Sequence, residues 1–589
     1  MTDFTDEITG RLKNPYYLLL LGILGVATFL RFRYAFFDGL WVDESRYART
    51  GIEISKHLLD YSVAQEWHGQ ITGYPPVYSY LIALSTYIFG KTDLAVRVVS
   101  PLMGVAGVGL TYILGREMKT REVGLIAAAV VAVNPIFWFL SERILIGATF
   151  ATLYTAAMLA LYYGLEDREH SRYALWALGP LVALNIMTKQ PAYTLGVVIP
   201  LYFLYVHREE LESFVVGGTS FRESGLYDVF TDRDYYTAAG LGLLTLLPWM
   251  LRNTAVCSFP LCGLPRALDF AATTNQAAWA STQGPFYYIL SMPGIMTALG
   301  TALVGLRVIQ YIVDYADRDA DTMVKAASTI IGLLATSYFL KPDLVPMVLL
   351  TSIAIFARSD AEKLLWLWAG IGIGFMSLGR VQVPRYIVFV IPALATVAAI
   401  SLYSVSDWLA YQLDSSGVTA ARVAVVLMVP VLFLSFAQGM QNISRGGYTY
   451  LEPAGEWLDS NLPEEANVGA TSDPQMRYYI YPRMAYTLPK NQSKFKSFLR
   501  EKNITHVEVD VYERAQAKWA QTGLPPYRLP VSTVQDLRAG RISPQRVGQS
   551  YGKPPEYLER VKSFGRTRVP LTRDQKQPMV IIYRVNLTG

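Results

Sequence analysis

Residues 16–48 read YYLLLLGILGVATFLRFRYAFFDGLWVDESRYA, and this stretch sets the class of the whole chain. Tyr16 to Leu30 carries no charge; Arg31 and Arg33 follow, and three acids, Asp38, Asp43 and Glu44, come soon after. An unbroken apolar run closed by arginines, with no small-residue cleavage site, reads as an uncleaved first membrane span. Arg11 and Lys13 precede it, which predicts a cytoplasmic N-terminus and puts the acids on the outer side. Carboxylates at a membrane boundary are costly to dehydrate and normally need a partner or a task. Solvated loop acids paired to Arg46 or Arg49 are the plain alternative, and chemistry alone leaves both readings open.

Composition extends the membrane reading to the rest of the chain. Of 589 residues, 52% are hydrophobic and only 17% charged, with mean hydropathy +0.26. A soluble protein has roughly a quarter of its residues charged. Lys plus Arg total 52 against 47 Asp plus Glu, a net +5 that is too mild and too dispersed for a nucleic-acid partner. With Cys257 and Cys262 as the only cysteines, a disulfide framework and a Cys-rich metal site are excluded; one bridge closing the loop between them stays open.

Thirteen apolar stretches follow one another, near 16–35, 94–115, 122–140, 144–164, 173–188, 191–206, 237–252, 285–313, 325–340, 344–358, 363–379, 386–404 and 421–438. The run 75–90 is treated differently. It opens on Pro75-Pro76, and at sixteen residues it covers only roughly 24 Å of a core of about 30 Å. If it lies along the surface, then Arg116, Lys119, Arg121, Arg168, Arg172, Arg208, Arg222, Arg233, Arg358 and Lys363 all fall inside, as the positive-inside rule asks. The expected organisation is therefore a membrane domain over 1–439, with a first external loop at about 36–93, and an extracytoplasmic α/β domain over 440–589. Four Asn-x-Ser/Thr sites, at Asn442, Asn491, Asn503 and Asn586, all fall after the last span, which suits an external tail. Helices are expected at 454–461 and 493–502, strands at 467–471, 505–512 and 578–585, and loop over 523–555. The tail has no glycine fingerprint for a nucleotide and no metal-ligand spacing.

The outer-face loops hold more cations than that rule predicts: Arg143, Lys189, Arg252, Lys341, Arg380 and Arg385. Basic residues set repeatedly at the outer border suit a lipid phosphate, since Arg offers a bidentate fork and Lys a mobile point charge. Snorkelling to the interface explains any one of them equally well. In the first external loop, His57 and His68 read mainly as surface residues. Trp41, Trp67, Tyr74 and Tyr78 suit either sugar stacking or interfacial anchoring.

Several segments, in order, resemble the GT-C glycosyltransferases. Within that superfamily the likeness is to protein O-mannosyltransferases and lipid A aminoarabinose transferases. Trp41-Val-Asp43-Glu44-Ser-Arg-Tyr47-Ala48 is similar to the Asp-Glu-x-x-Tyr-Ala signature of the first external loop, and Gly73-Tyr-Pro75-Pro76-Val-Tyr78-Ser-Tyr80 to the Pro-Pro-aromatic segment after it. Asp93-Leu-Ala-Val-Arg97 resembles the start of the next span, and Asn185-Ile-Met-Thr188-Lys189-Gln190-Pro191 the Thr-Lys-Gly-Pro element. Pro248-Trp249-Met-Leu-Arg252-Asn253 and Pro384-Arg385-Tyr386 with Pro392 complete the series. The resemblance implies a GT-C fold with about 13 transmembrane helices and transfer of a sugar from a polyprenyl- or dolichyl-phosphate carrier. The acceptor hydroxyl would belong to a lipid, a protein or a lipid-linked glycan at the outer face of the plasma membrane.

On this reading Asp43 is the base, and Glu44 shares that role or joins Asp43 in holding a divalent cation, Mg or Mn, through hard oxygen ligands. These two are the only metal candidates. Tyr47, Arg143, Lys189, Arg252, Arg380, Arg385 and Tyr386 would bind substrate, with the cations stabilising the departing phosphate. Direct displacement would invert the anomeric configuration. The chain departs from the pattern at Gly147, where relatives carry a second acid; Glu142 is a candidate substitute at different spacing. Tyr74 and Gln190 also stand where some relatives have Lys and Gly. A Trp-Trp-Asp acceptor motif is absent. The competing readings are a transporter or flippase of a lipid-linked or anionic substrate, and an inactive relative serving as an assembly subunit.

Overall fold

The computed structural model describes residues 14–36, 39–56, 75–166, 171–261, 284–316, 320–357, 359–379, 381–413, 419–443, 451–489, 494–510, 556–565, 567–569, 572–577 and 580–587. Outside them lie Asp38, His57, Trp67, His68, Tyr74, Arg168, Cys262, Arg358, Arg380, Asn491 and the expected loop at 523–555. The side chains of Cys257 and Asn442 are likewise not described.

The chain divides into two compact units. One comprises Met1–Ala35 and Gly51–Ser444, the other Phe36–Thr50 and Arg445–Gly589. The acid-bearing stretch 36–50 thus falls in the same unit as the tail.

The first unit is helical. It runs α1 (Pro15–Ala35), the last turns of α2 (Val42–Lys56), α3 (Val77–Phe89), α4 (Asp93–Arg97), α5 (Val99–Met118), α6 (Arg121–Val133), α7 (Pro135–Glu142) and α8 (Ile146–Leu165). Next come α9 (Ser171–Ile186), α10 (Leu195–Val206), α11 (Arg208–Val215), α12 (Leu226–Thr231), α13 (Arg233–Cys257), α14 (Tyr287–Leu290), α15 (Met292–Ile295) and α16 (Ala298–Ala316). It closes with α17 (Ala320–Leu340), α18 (Val345–Phe356), α19 (Asp360–Ser377), α20 (Ile391–Gln412) and α21 (Ala420–Ile443).

Among the described residues five of these helical stretches are long and apolar enough to cross a membrane, six if α6 and α7 are counted as one bent span. α3 is a shorter apolar helix, as are Gln190–Val206, Ala327–Leu340 and Pro342–Phe356. The outermost helices turn apolar side chains outward: Leu18, Leu19, Phe29, Val426 and Phe433 are all exposed. A helix that is apolar on its exposed side is solvated by lipid, not water. The chain is a multi-pass helical membrane protein.

Proline and asparagine decide where the helices break. Residues 122–140, one span on sequence, bend by 60° between α6 and α7. Pro135 has no N–H to continue the ladder, and the Asn134 side chain accepts instead from Ile136 N (3.1 Å) and Phe137 N (3.0 Å). The stretch 285–313 likewise resolves into two single turns before α16. Near the other end of the helices, Arg307 grips Glu362 through two of its nitrogens at 2.8–3.0 Å, and Tyr311 also donates to that carboxylate. A bidentate pair of this kind ties α16 to α19 without leaving a buried charge alone.

The second unit is α/β. It contains α22 (Leu451–Asn461), β1 (Asn467–Ala470), α23 (Asp473–Tyr479), β2 (Ala485–Thr487), α24 (Phe495–Glu501) and β3 (Ile504–Asp510), then β4 (Leu558–Phe564), β5 (Thr567–Val569), β6 (Thr572–Gln577) and β7 (Val580–Val585). The main sheet has the order β2-β1-β3-β7-β4, parallel across β2-β1-β3 and antiparallel beyond. Val468 stands opposite both Ala485 and His506, and Val509 opposite Ile581. β3 is buried at six of its seven positions because helices cover both faces of the sheet: α22 and α23 through Leu451, Leu458 and Met476, α24 through Phe495 and Leu499. The sequence reading did not mark α23, β2 or β4, which are short or polar.

Candidate functional site

The acid signature forms the first turn of α2, within the second unit. Trp41 takes the N-cap position, and Glu44, three residues on, turns back so that its Oε2 accepts from Trp41 N at 2.9 Å. This is the reciprocal half of a capping box. Glu44 is 1% exposed, so a buried carboxylate satisfies the helix's first donor. Asp43 does the opposite: its side chain is 38% exposed, and Arg46 Nη1 stands at the 4.0 Å limit of an ion pair. Adjacent positions on a helix point about 100° apart, so the two carboxylates do not converge into a chelating pair by themselves. That geometry gives Glu44 a structural task and leaves Asp43 as the presented carboxylate. Among the described residues no group of three or more His, Cys, Asp or Glu could hold a metal ion.

α23 fixes this turn from its own side of the second unit. Tyr479 OH accepts from Leu40 N at 2.9 Å, and the Arg49 guanidinium, 4% exposed, lies 5.7 Å from the Tyr481 ring centre. Burial pushes the Asp473 carboxyl up from the ordinary carboxylate range, against the lowering pull of Arg477, Thr487 and Arg46. Tyr47 lies on the same helix, half-buried.

The cations form a separate group within the first unit. Lys189 takes the N-cap position of the 3-10 turn Gln190–Thr194, and Arg385 and Tyr386 lie in the first turn of the 3-10 segment Pro384–Val390; each first turn holds a proline, Pro191 or Pro384, whose fixed φ suits it. Lys189 Nζ is 5.3 Å from the centre of the Tyr386 ring, and Arg385 Cζ is 5.8 Å from the same centre. Lys189 and Arg385, nearly two hundred residues apart in sequence and both expected to bind substrate, thus meet on the Tyr386 ring.

What holds the two turns was not read from the sequence. Tyr154 OH is bonded to Thr194 Oγ1 at 3.0 Å, while its ring packs on Phe389 at 5.0 Å and stacks on Trp368 at 5.4 Å. One buried tyrosine therefore wedges both turns against α8. Tyr288 OH accepts from Val383 N at 3.3 Å and steadies the segment just before Arg385. In sequence the only signal was an aromatic within an apolar helix, the commonest of core residues.

Arg252, 8% exposed, lies in α13 three residues past Trp249. Trp249 shares an apolar cluster with Ala183 and Met187, at the end of α9 and just before Lys189. The two helices meet where Gly179 faces Gly242: a Cβ on Gly179 would stand 1.8 Å from Ala238 O. Only glycine allows that approach, and small residues at a crossing are how membrane helices pack tightly. Asn253 Nδ2 donates to Pro260 O at 3.0 Å and closes the end of the helix.

Arg143 ends α7 in extended conformation, its guanidinium 5.1 Å from the Phe139 ring centre. Glu142 is 2% exposed and acts electrostatically on the buried Arg31. At Gly147 a Cβ would stand 2.7 Å from Leu140 Cδ1, so an apolar side chain packs against the position where the resemblance implies a second acid.

The family model described as dolichyl-phosphate-mannose-protein mannosyltransferase matches residues 74–217. No curated protein sequence matches the chain. In fold the chain is similar to the archaeal oligosaccharyltransferase AglB from Archaeoglobus fulgidus in complex with an inhibitory peptide and a dolichol-phosphate, at TM-score 0.55 and 13% identity over 86% of this chain and 71% of that one. It is also similar to ArnT from Cupriavidus metallidurans bound to undecaprenyl phosphate, at TM-score 0.51 and 14% identity over 98% of this chain and 99% of that one. A third similar structure is the Archaeoglobus fulgidus oligosaccharyltransferase tethered with an acceptor peptide, at TM-score 0.52 and 13% identity over 86% of this chain and 70% of that one.

Proposed function

We propose that this chain, GT-C-like in fold, is a glycosyltransferase that moves a sugar from a polyprenyl- or dolichyl-phosphate carrier to an acceptor hydroxyl at the outer membrane face. The observation that carries the reading is the gathering of Lys189 and Arg385 on the Tyr386 ring at two breaks between helices. A point charge beside a planar fork on one ring is a phosphate-binding chemistry. The carriers bound to the AglB and ArnT structures, dolichol-phosphate and undecaprenyl phosphate, support the choice of ligand.

Lys189 and Arg385, with Arg252, take up the charge that develops on the departing phosphate, so no strong general acid is required. Asp43 removes the proton of the attacking hydroxyl; the C–O bond to the acceptor forms as the anomeric C–O bond to phosphate breaks, with inversion. Thirteen crossings, a cytoplasmic N-terminus and an external second unit complete the arrangement. The acceptor is a protein, a lipid or a lipid-linked glycan; the peptide held by the archaeal oligosaccharyltransferase supports the first. The filled space at Gly147 favours one competing reading, an inactive assembly subunit.

Purified protein with radiolabelled polyprenyl-phosphate sugar tests the function. Sugar transfer supports it, movement of the intact carrier indicates a transporter, and binding alone an assembly subunit. Asp43→Asn is expected to abolish transfer at unchanged expression; near-normal turnover by that variant sinks the assignment of Asp43.

A further inference from the structure

Arg31 is a buried charged group that the reading above leaves unused. It lies in the first span, wholly buried, where a guanidinium costs about 3 kcal/mol or more unless it is given a partner or a task. Its Nη1 donates to Ala27 O in its own helix and to Ala132 O, each at 3.1 Å. The second acceptor is informative. At the break after α6, Ile136 N donates to Asn134 Oδ1, so Ala132 O loses the donor that a continuous helix would supply. Arg31 replaces that donor. Its Cζ also stands 5.7 Å from the Phe137 ring centre in α7, and Glu142 at the far end of α7 acts on it electrostatically. A Cβ added to Gly104 of α5 would stand 2.8 Å from Arg31 Nε and 2.4 Å from Ser141 Cβ, so the packing here leaves no slack.

α7 is only eight residues long, and Arg143 follows it directly. We infer that Arg31 is a positioning residue: it holds the break where the bent helix α7 begins and so sets where Arg143, at the end of that short helix, presents its guanidinium to the lipid phosphate. This rests on the function proposed above, together with Arg143 as one of the substrate-binding residues expected from the sequence. Arg31 touches no substrate on this view; it acts through Arg143.

The test is a double-mutant cycle in the full-length protein, Arg31→Met against Arg143→Ala, with KM for polyprenyl-phosphate sugar and kcat both read. Misplacing a binding group by an ångström costs up to about a hundredfold, so Arg31→Met is expected to raise the donor KM at least about tenfold. In the Arg143→Ala background the same change should add less than about threefold, because the residue acted through is gone. Arg31→Lys, which keeps the charge, should recover part of the loss. Additive effects, or a donor KM within about twofold of wild type for Arg31→Met, overturn the inference. If Arg31→Met does not fold, Arg31→Gln, which keeps an N–H donor but removes the guanidinium, replaces it in the same cycle. A second readout needs no turnover: the labelling rate of Arg143→Cys by a charged thiol reagent, in a background lacking Cys257 and Cys262, with and without Arg31. An unchanged rate overturns the inference, and a changed rate supports it even if the wild-type protein transfers no sugar and the function proposed above falls.

Discussion

Replacing Tyr386 by leucine removes the ring that Lys189 and Arg385 share while leaving both charges in place. The centroid distances, 5.3 and 5.8 Å, lie near the outer limit of an effective cation–π contact, and Tyr386 is only half-buried. Each contact then falls near the lower end of the range, about 0.5–1 kcal/mol, and the pair together contributes roughly 1–2 kcal/mol. At 1.4 kcal/mol per factor of ten, the affinity for the phosphate carrier should fall roughly five- to thirtyfold. The loss belongs to KM for the donor and to Kd for the free polyprenyl phosphate, because a ring that orders the cations acts before the bond breaks. Tyr386→Phe keeps the ring and should stay within about twofold. The assay is titration of polyprenyl phosphate into detergent-solubilised protein, alongside steady-state transfer. Equal behaviour of the Leu and Phe variants would refute the reasoning, as would a Leu variant that loses kcat at an unchanged Kd.

Other changes separate the remaining roles. Glu44→Ala removes the partner of Trp41 N and should destabilise the start of α2 by about 0.5–2 kcal/mol, read as faster amide exchange over residues 42–48; if exchange is unchanged and only turnover falls, the capping role is wrong. Gly147→Asp drives side-chain atoms into Leu140 and should cost about 1–3 kcal/mol of stability without raising transfer; a gain in turnover would show that the second acid can be accommodated there. Glu508, wholly buried on β3 two residues before the equally buried Asp510, has its carboxyl pushed up to about 7 by burial, against the bonds it accepts from Thr471 N and Ser472 N. The folded state therefore keeps a proton that the unfolded chain has already released. The stabilisation this gives is complete below the ordinary carboxylate range and is lost as pH rises through about 7, a change on the order of 3 kcal/mol. Glu508→Gln should flatten that dependence, read from exchange protection of the Ile504–Asp510 amides between acid and mildly alkaline pH, and an unaltered slope in the variant would exclude Glu508 as its source.

The membrane class was legible because it rests on summed hydropathy, which survives errors at any single helix end. Individual breaks were less so. Pro135 and Asn134 are ordinary signals for a helix start, yet they sit inside an apolar run, and only their hydrogen bonds show that 122–140 turns a corner. In the site, Lys189, Arg385 and Tyr386 could be named from short motifs, whereas Tyr154 could not. Its work is done by a hydroxyl and two ring faces toward residues far away in sequence, and periodicity carries no record of such contacts. The pair Asp43 and Glu44 shows the converse limit. Two adjacent acids look equivalent as letters, and the helix they begin makes one a cap and presents the other.

The two 3-10 turns have a consequence for how quickly a carrier lipid could be captured. Because Tyr154 fixes both turns within the fold, Lys189 and Arg385 leave from backbone that is already placed. Ordering a long cationic side chain at the moment of binding costs about 0.5–1.5 kcal/mol, and part of that ordering is here complete before any lipid arrives. On the proposed reading, association is then paced by lateral diffusion of the lipid to the protein rather than by a rearrangement after contact. Affinity differences among carriers would appear in how long each stays.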